Sequence, residues 1–210
     1  MCDESLRAGI VLAGGFSVRF GTEDKAVADL GGEPMIARVA RRVDAVTDEL
    51  LLNCREEQAG RIEEVLASSG LAYRFAFDST PDQGPLAGIL AGLEATNAPY
   101  VAVLACDTPF AEPSLLEHLF ERASGRDGAV PDLETRGLQP TVAVYRSDAM
   151  ATACRNALDA DRRSIKAALE NIDWVAVDEA DVLDHAALET FETVESKTDL
   201  ERARRRLSNE

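Results

Sequence analysis

The chain has 210 residues, 46% of them hydrophobic, and a formal net charge of -16 from 38 acidic against 22 basic side chains. That length suffices for one buried core and fits a single α/β domain, 1–210. The charge disfavours nonspecific attraction to nucleic acid or to anionic lipid, both of which need a basic face, but leaves room for a nucleotide held in a local positive pocket.

Cys2, Cys54, Cys106 and Cys154 are widely spaced, with no CxxC pair, so the cysteines suggest neither a zinc knuckle nor a redox couple. No apolar run approaches the roughly 18 residues that a membrane span needs, and MCDESLRAG lacks a signal-peptide pattern. A cytoplasmic protein with reduced thiols is expected. The scarcity of lysine (Lys25, Lys166 and Lys197) beside so much acid points to a high-salt interior that screens surface self-repulsion.

In chain order, a short apolar run at Ala8 to Leu12, broken by Gly9, reads as a strand. It delivers LAGGFSVRFGTEDKA, Leu12 to Ala26. Gly14 and Gly15 let backbone amides approach a ligand, and Arg19 and Lys25 add charge suited to phosphate. The turn is either a triphosphate cradle or a tight structural turn. The spacing fits neither GxxxxGK[ST] nor GxGxxG, so neither a P-loop ATPase nor a Rossmann dehydrogenase is supported.

Val27 to Leu30 ends at Gly31-Gly32, and Pro34 opens a helix with Met35, Ile36, Val39, Ala40 and Val43 on one face. Leu50 to Asn53 is a second strand, Glu56 to Ser68 a helix, and Tyr73 to Phe77 a third strand. Asn53 and Asp78 therefore stand at strand ends, on the rim where open parallel sheets bind ligands; each alone could equally be a cap or turn residue. A carboxylate such as Asp78 can accept both N1–H and N2–H of guanine, a fork that adenine lacks.

Gln83 to Leu93 reads as a helix with Gly84, Gly88 and Gly92 four apart. Glycine costs a helix roughly 1 kcal/mol per residue, so the spacing implies close approach, either of the sheet or of a ligand at the Gly84-Pro85-Leu86 turn. Tyr100 to Ala105 is an apolar strand that runs into Asp107, a carboxylate placed either to hold Mg²⁺ or to cap the helix after Pro113.

Further on, Gly128 to Val130, Gln139 to Tyr145 and Trp174 to Val177 are strand-like, and Phe191 to Val194 is extended. Ser147 to Leu158, Ser164 to Leu169, Ala180 to Leu188 and Lys197 to Leu207 are helical, while Gly125 to Gly137 has loop character. Arg162 and Arg163 form an ion cluster or an anion site. His118 and His185 read as ordinary helix residues.

Together these blocks resemble the GT-A-like nucleotidyltransferases, and most closely the molybdenum cofactor guanylyltransferase (MobA) family. The resemblance rests on LAGGFSVRFGTEDKA, GPLAGI (Gly84 to Ile89), CDTPF (Cys106 to Phe110), QPTVAVY (Gln139 to Tyr145) and FETVESKTDL (Phe191 to Leu200). It implies a three-layer α/β/α sandwich around a mostly parallel, Rossmann-like sheet. It also implies nucleotide contacts from Leu12, Ala13, Gly14, Lys25, Asn53 and Asp78, with Asp107 holding Mg²⁺ and touching GTP. The acceptor it implies is molybdopterin, over the C-terminal half, while the N-terminal half binds GTP. Onward partners would be molybdoenzyme apo-proteins or other cofactor-biosynthesis proteins. The alternatives are a cytidylyltransferase, a guanylyltransferase for another phosphorylated precursor, or a noncatalytic nucleotide or pterin carrier. In the closing block, Thr193, Glu195 and Lys197 stand where relatives carry two asparagines and a proline, a departure that bears on the acceptor and leaves the GTP contacts unchanged.

The charge reading predicts that stability rises with KCl. Refolding after denaturation, followed against KCl concentration, should improve from dilute buffer upward, and full stability in dilute buffer would overturn the high-salt expectation.

Overall fold

The computed structural model describes residues 5–15, 20, 24–78 and 84–208. Eight strands form one sheet in the order β3-β2-β1-β4-β7-β5-β6, with β8 added to β5. They are β1 (Arg7–Leu12), β2 (Glu49–Cys54), β3 (Arg74–Phe77), β4 (Tyr100–Ala105), β5 (Gly128–Leu133), β6 (Gly137–Leu138), β7 (Val142–Arg146) and β8 (Trp174–Asp178). β1 to β4 pair in parallel, and β7 is antiparallel to both β4 and β5. β6 is antiparallel to β5, whereas β8 is parallel to it. The sheet is therefore mostly parallel, with β6 and β7 reversed.

Because side chains alternate across a strand, each strand feeds two cores. Val11, Leu50, Leu52, Ala102 and Leu104 meet α1 (Met35–Asp44), α2 (Glu56–Leu66) and α4 (Pro113–Ala123) on one face. Ala8, Ile10, Leu51, Val101 and Val103 meet α3 (Pro85–Glu94), α5 (Ser147–Asp159) and α6 (Ile165–Leu169) on the other. This is the expected three-layer α/β/α arrangement. The short α7 (Glu179–Leu183) joins the first face through Val182. The last helix, α8 (Lys197–Leu207), packs Leu200 and Ala203 with Phe20, Leu30, Met35 and Phe110 in a smaller third cluster.

Three sequence expectations need correction. Gly125 to Gly137 is not simply a loop: its middle is β5, and Pro131 is tolerated there because its carbonyl accepts from Gln139 N at 2.8 Å while its ring nitrogen has no proton to pair. The helix expected over Ala180 to Leu188 stops at Leu183, where His185 N and Ala186 N both turn back to Val182 O. A 3-10 turn over Leu188–Phe191 follows, so His185 is not a helix residue and extended chain begins only after Phe191. Gly84 lies outside its helix as the residue before Pro85, with φ 75°, a left-handed region that glycine enters at no steric cost.

Gly88 and Gly92 are the two glycines inside α3. A Cβ on Gly92 would lie 2.7 Å from Ile10 Cγ1 and closer still to Cδ1, so the helix rests directly on β1. A Cβ on Gly88 would lie 2.9 Å from Asn53 Cγ and closer still to its Oδ1. Helix packing on the sheet and room for a polar rim residue thus share one stripe.

Gly92→Ala gains about 1 kcal/mol of helix propensity but overpacks a buried isoleucine, which costs about 1–3 kcal/mol. The expected net is a loss of up to about 2 kcal/mol in a urea denaturation series. A midpoint no lower than that of the parent would show that Ile10 repacks freely. Gly88→Ala is expected to destabilise comparably and to displace the Asn53 side chain.

Candidate active site

The strand register alone sets the rim. Leu12 stands opposite Asn53 on one side and Ala105 on the other, and Asn53 stands opposite Ala76. The carboxyl ends of β1, β2, β3 and β4 therefore finish level. Past the last rungs the ladder is prolonged by Ala13 N to Asn53 O at 2.8 Å, Asp78 N to Cys54 O at 3.2 Å and Cys106 N to Leu12 O at 3.0 Å. Loops that leave strands in this way must open on the same side, where ligands of open α/β sheets bind.

A cavity of about 440 Å³ lies there, within the size range of small-molecule sites. Of the residues singled out from the sequence, Leu12, Gly14, Gly15, Lys25, Asn53, Asp78, Gly84, Pro85 and Asp107 line it. Ala13 and Leu86 do not. Leu86 is fully buried in the core beneath α3, and Ala13 is buried with both backbone groups engaged, its carbonyl accepting from Gln58 Nε2 at 3.2 Å. Arg19 lies outside the described residues.

Two polar contacts organise the cavity. Lys25 Nζ donates to Asp107 Oδ2 at 2.5 Å, joining the 3-10 turn Lys25–Val27 to the loop after β4. Both side chains are mostly buried, 19% and 14% exposed. Burial pushes the Lys25 pKa down, but the surrounding Cys106, Asp107 and Glu195 and the hydrogen bond that Lys25 donates to Asp107 outweigh it, and the net shift is upward. Burial also pushes the Cys106 thiol up to about 12, so at neutral pH it carries no charge and the two carboxylates hold the ammonium. In the second contact, buried Asn53 donates through Nδ2 to Ala76 O at 3.0 Å and to Asp78 Oδ1 at 2.8 Å. This sets the Asp78 carboxylate against Gly14, where a Cβ would collide with its Oδ2.

Several contributors left little signal in the sequence. Arg55 donates to Gly14 O at 2.5 Å, and Gln58 donates to both Ala13 O and Asp24 Oδ2, so the start of α2 staples the glycine turn. Asp24 in turn caps the Lys25 turn by accepting from Ala26 N at 3.0 Å. The single local hint is the RxxQ spacing, in which Gln58 Oε1 accepts from Arg55 N as in a capping box. Ala87, Ala105, Thr141, Thr193 and Glu195 also line the cavity. Val194 N donates to Asp107 O at 2.8 Å, which brings the closing block to the Asp107 loop. Residues of both chain halves thus line one cavity, Thr193 and Glu195 facing the same space as Gly14 and Lys25.

Arg162 pairs with Glu170 at 2.7 Å and Arg163 with Asp161 at 2.9 Å, which fits the ion-cluster reading of that segment. Cys54, Cys106 and Cys154 are buried free thiols, each pushed up to about 12 by burial. Among the described residues no helix is long and apolar enough to cross a membrane.

Comparison with known proteins finds relatives along nearly the whole chain. A protein from Natronomonas pharaonis named probable molybdenum cofactor guanylyltransferase is 46% identical over 202 residues, covering 96% of this chain and 98% of that one. A protein of the same name from Haloferax mediterranei is 39% identical over 194 residues, covering 92% and 91%. The crystal structure of molybdopterin-guanine dinucleotide biosynthesis protein A from Archaeoglobus fulgidus superposes with a TM-score of 0.80 at 27% identity, covering 97% of this chain and all of that one. The model of the MobA-like NTP transferase domain matches residues 9–177. With the glycine turn, the strand-end polar residues and the Asp107 loop gathered on one rim, the chain belongs to the MobA-like NTP transferase family.

Proposed function

We propose that this protein transfers GMP from GTP to the terminal phosphate of molybdopterin, forming the guanine dinucleotide of the molybdenum cofactor and releasing pyrophosphate. The reading is carried by one observation: Lys25–Asp107 and Asn53–Asp78, two polar pairs suited to opposite ends of a nucleotide, line the same cavity beside the Gly14-Gly15 turn. The names of the relatives from Natronomonas and Haloferax support the same reaction.

At the base end, Asp78 is held by Asn53 with its carboxylate alongside Gly14. A carboxylate so fixed accepts the N1–H and N2–H pair of guanine and has no equivalent fork to meet on cytosine or adenine. At the phosphate end, Lys25 and the Gly14-Gly15 turn supply a cation and close-approaching backbone, the arrangement that stabilises a departing pyrophosphate. A phosphate monoester with a second pKa of about 6 is already an anionic nucleophile at neutral pH, so the acceptor needs no general base. Accordingly, no histidine lines the cavity among the described residues.

The donor set fits Mg²⁺. Asp107 and Glu195 are hard oxygen donors facing the cavity, a small number of carboxylates of the kind that leaves coordination positions for water and substrate phosphates. Asp107 would hold the ion, which when bound neutralises the phosphates and draws charge from the leaving group. Asp107 is also what keeps Lys25 in place, so both roles converge on one side chain.

Incubation with GTP, molybdopterin and MgCl₂, followed by mass analysis, is expected to give the guanine dinucleotide, with far less product when CTP replaces GTP. Asp107→Ala is expected to abolish pyrophosphate release while leaving the far-UV spectrum unchanged, and Lys25→Ala to lower turnover about 10²–10³-fold. GTP binding without Mg²⁺-dependent pyrophosphate release would favour the carrier alternative, and equal use of CTP would remove Asp78 as the selector.

A further inference from the structure

Both histidines of the sequence, His118 and His185, meet outside the lining of the cavity. His118 lies in the middle of α4 and His185 just beyond α7, and their rings stack with centroids 3.8 Å apart and planes 15° from parallel. Asp181, on α7, joins them: one ligand atom from each of the three side chains lies within 4.8 Å of the others. We propose that His118, Asp181 and His185 bind one divalent transition-metal ion, best matched by zinc, which clips α4 to the segment leading into the cavity wall.

The observation that singles out this cluster is the state of His118. Its side chain is only 10% exposed, and Nε2 lies 3.0 Å from Asp181 Oδ1. Yet the buried Nε2 makes no hydrogen bond, because the geometry is not that of a ring N–H aimed at the oxygen. An orphaned buried imidazole nitrogen is costly, and a ring nitrogen that faces a carboxylate oxygen at that separation without a hydrogen bond is what a shared cation resolves. Two imidazoles and one carboxylate are ordinary zinc ligands, with a fourth position left for water. Donors around a tetrahedral zinc sit roughly 3.4 Å apart at bond lengths of about 2.0–2.2 Å, so the three side chains would draw together and the stacked rings would turn toward the ion on binding.

The surroundings supply outer contacts of the kind that orient metal ligands. The second oxygen of Asp181 is held by Arg122 at 3.2 Å, and the other ring nitrogen of His118 faces Glu121 at 3.8 Å. The backbone carbonyl of His185 accepts from Ser114 Oγ at 2.8 Å, which ties the ligand-bearing turn to the start of α4. Asp181 is 26% exposed, leaving an entry path.

The site sits where two chain segments run together toward the cavity. α4 follows the Asp107 loop, and from His185 the chain passes Ala187, whose N donates to Glu112 Oε1 at 3.1 Å. It then passes Thr190, whose hydroxyl accepts from Glu112 N at 2.8 Å, before reaching Val194 beside Asp107. An ion joining α4 to this segment would fix the approach of Thr193 and Glu195 to the cavity without touching substrate.

The test uses the full chain, stripped with EDTA and dialysed, then titrated with ZnCl₂ in a calorimeter. The parent should bind one equivalent with micromolar or tighter affinity, and Tm should rise by about 5 °C or more at a hundredfold excess over Kd. Asp181→Asn and His185→Gln should each weaken binding at least tenfold and lose the Tm shift, while retaining all four cysteines and every carboxylate of the cavity. Asp181→Asn is isosteric, and the circular dichroism of both metal-free variants reports whether they fold as the parent does. Co²⁺ should give visible ligand-field bands in the parent that both variants lack. Absence of saturable binding up to about 100 µM zinc, or equal affinity in parent and both variants, would overturn the site.

Discussion

The contact on which the cavity depends is the ion pair between Lys25 and Asp107, which brings together residues 82 positions apart. Neither side chain reaches the other unless β1 and β4 lie side by side in register, Leu12 opposite Ala105, so that the two following loops leave the sheet at one level. The pair cannot be credited with much net stability. Two charges taken mostly out of water lose hydration that their attraction only roughly repays, and such pairs are often no better than well-packed apolar residues. What the pair does supply is position: an ammonium and a carboxylate held 2.5 Å apart at the mouth of a sheet whose interior is apolar.

The same logic governs the other end of the cavity. Asn53 sits on an interior strand at a position where an apolar side chain would pack more cheaply, and its amide must therefore be satisfied. Ala76 O and Asp78 Oδ1 satisfy its two donors, and the missing Cβ of Gly88 leaves room for its oxygen. A backbone choice in α3 thus sets, through Asn53 of β2, the orientation of a carboxylate just past the end of the neighbouring strand β3. Gly92, one turn further along the same stripe, does the corresponding work against Ile10, where nothing polar is involved. One repeated glycine serves packing at one turn and chemistry at the other.

How far the sequence discloses this follows from the range of each interaction. The interior strands and α8 are legible because burial writes itself into local period: YVAVLA spans β4 in full, and α8 keeps its bounds from Lys197 to Leu207. The β5-β6-β7 region is poorly legible because β6 has two residues, too few for any period, and Pro131 argues locally against a strand that its tertiary pairing permits. The support given by Arg55 and Gln58 to the glycine turn runs between residues more than 40 apart and has no local trace beyond a capping pattern. The His118–His185 stack is silent for the same reason, since each histidine alone is an unremarkable polar residue in a stretch whose local pattern reads as helical, although His185 lies beyond the end of α7.

The charge of the cavity carries a consequence for its ligand. Among the described residues that line it, one ammonium, Lys25, faces three carboxylates: Asp78, Asp107 and Glu195. Asp78 is directed toward Asn53 and Gly14, but Asp107 and Glu195 both bear on Lys25 and consume the field it would offer a phosphate. Taken by themselves, these described lining residues oppose a polyanion, and a low-dielectric setting amplifies the effect. Backbone amides of the Gly14-Gly15 turn would offset part of it, as partial charges do, and a divalent cation held by Asp107, as proposed above, would neutralise that carboxylate. Glu195 sharpens that argument: with a carboxylate at this wall, polyanion binding would lean more heavily on such a cation than it would with a neutral side chain there.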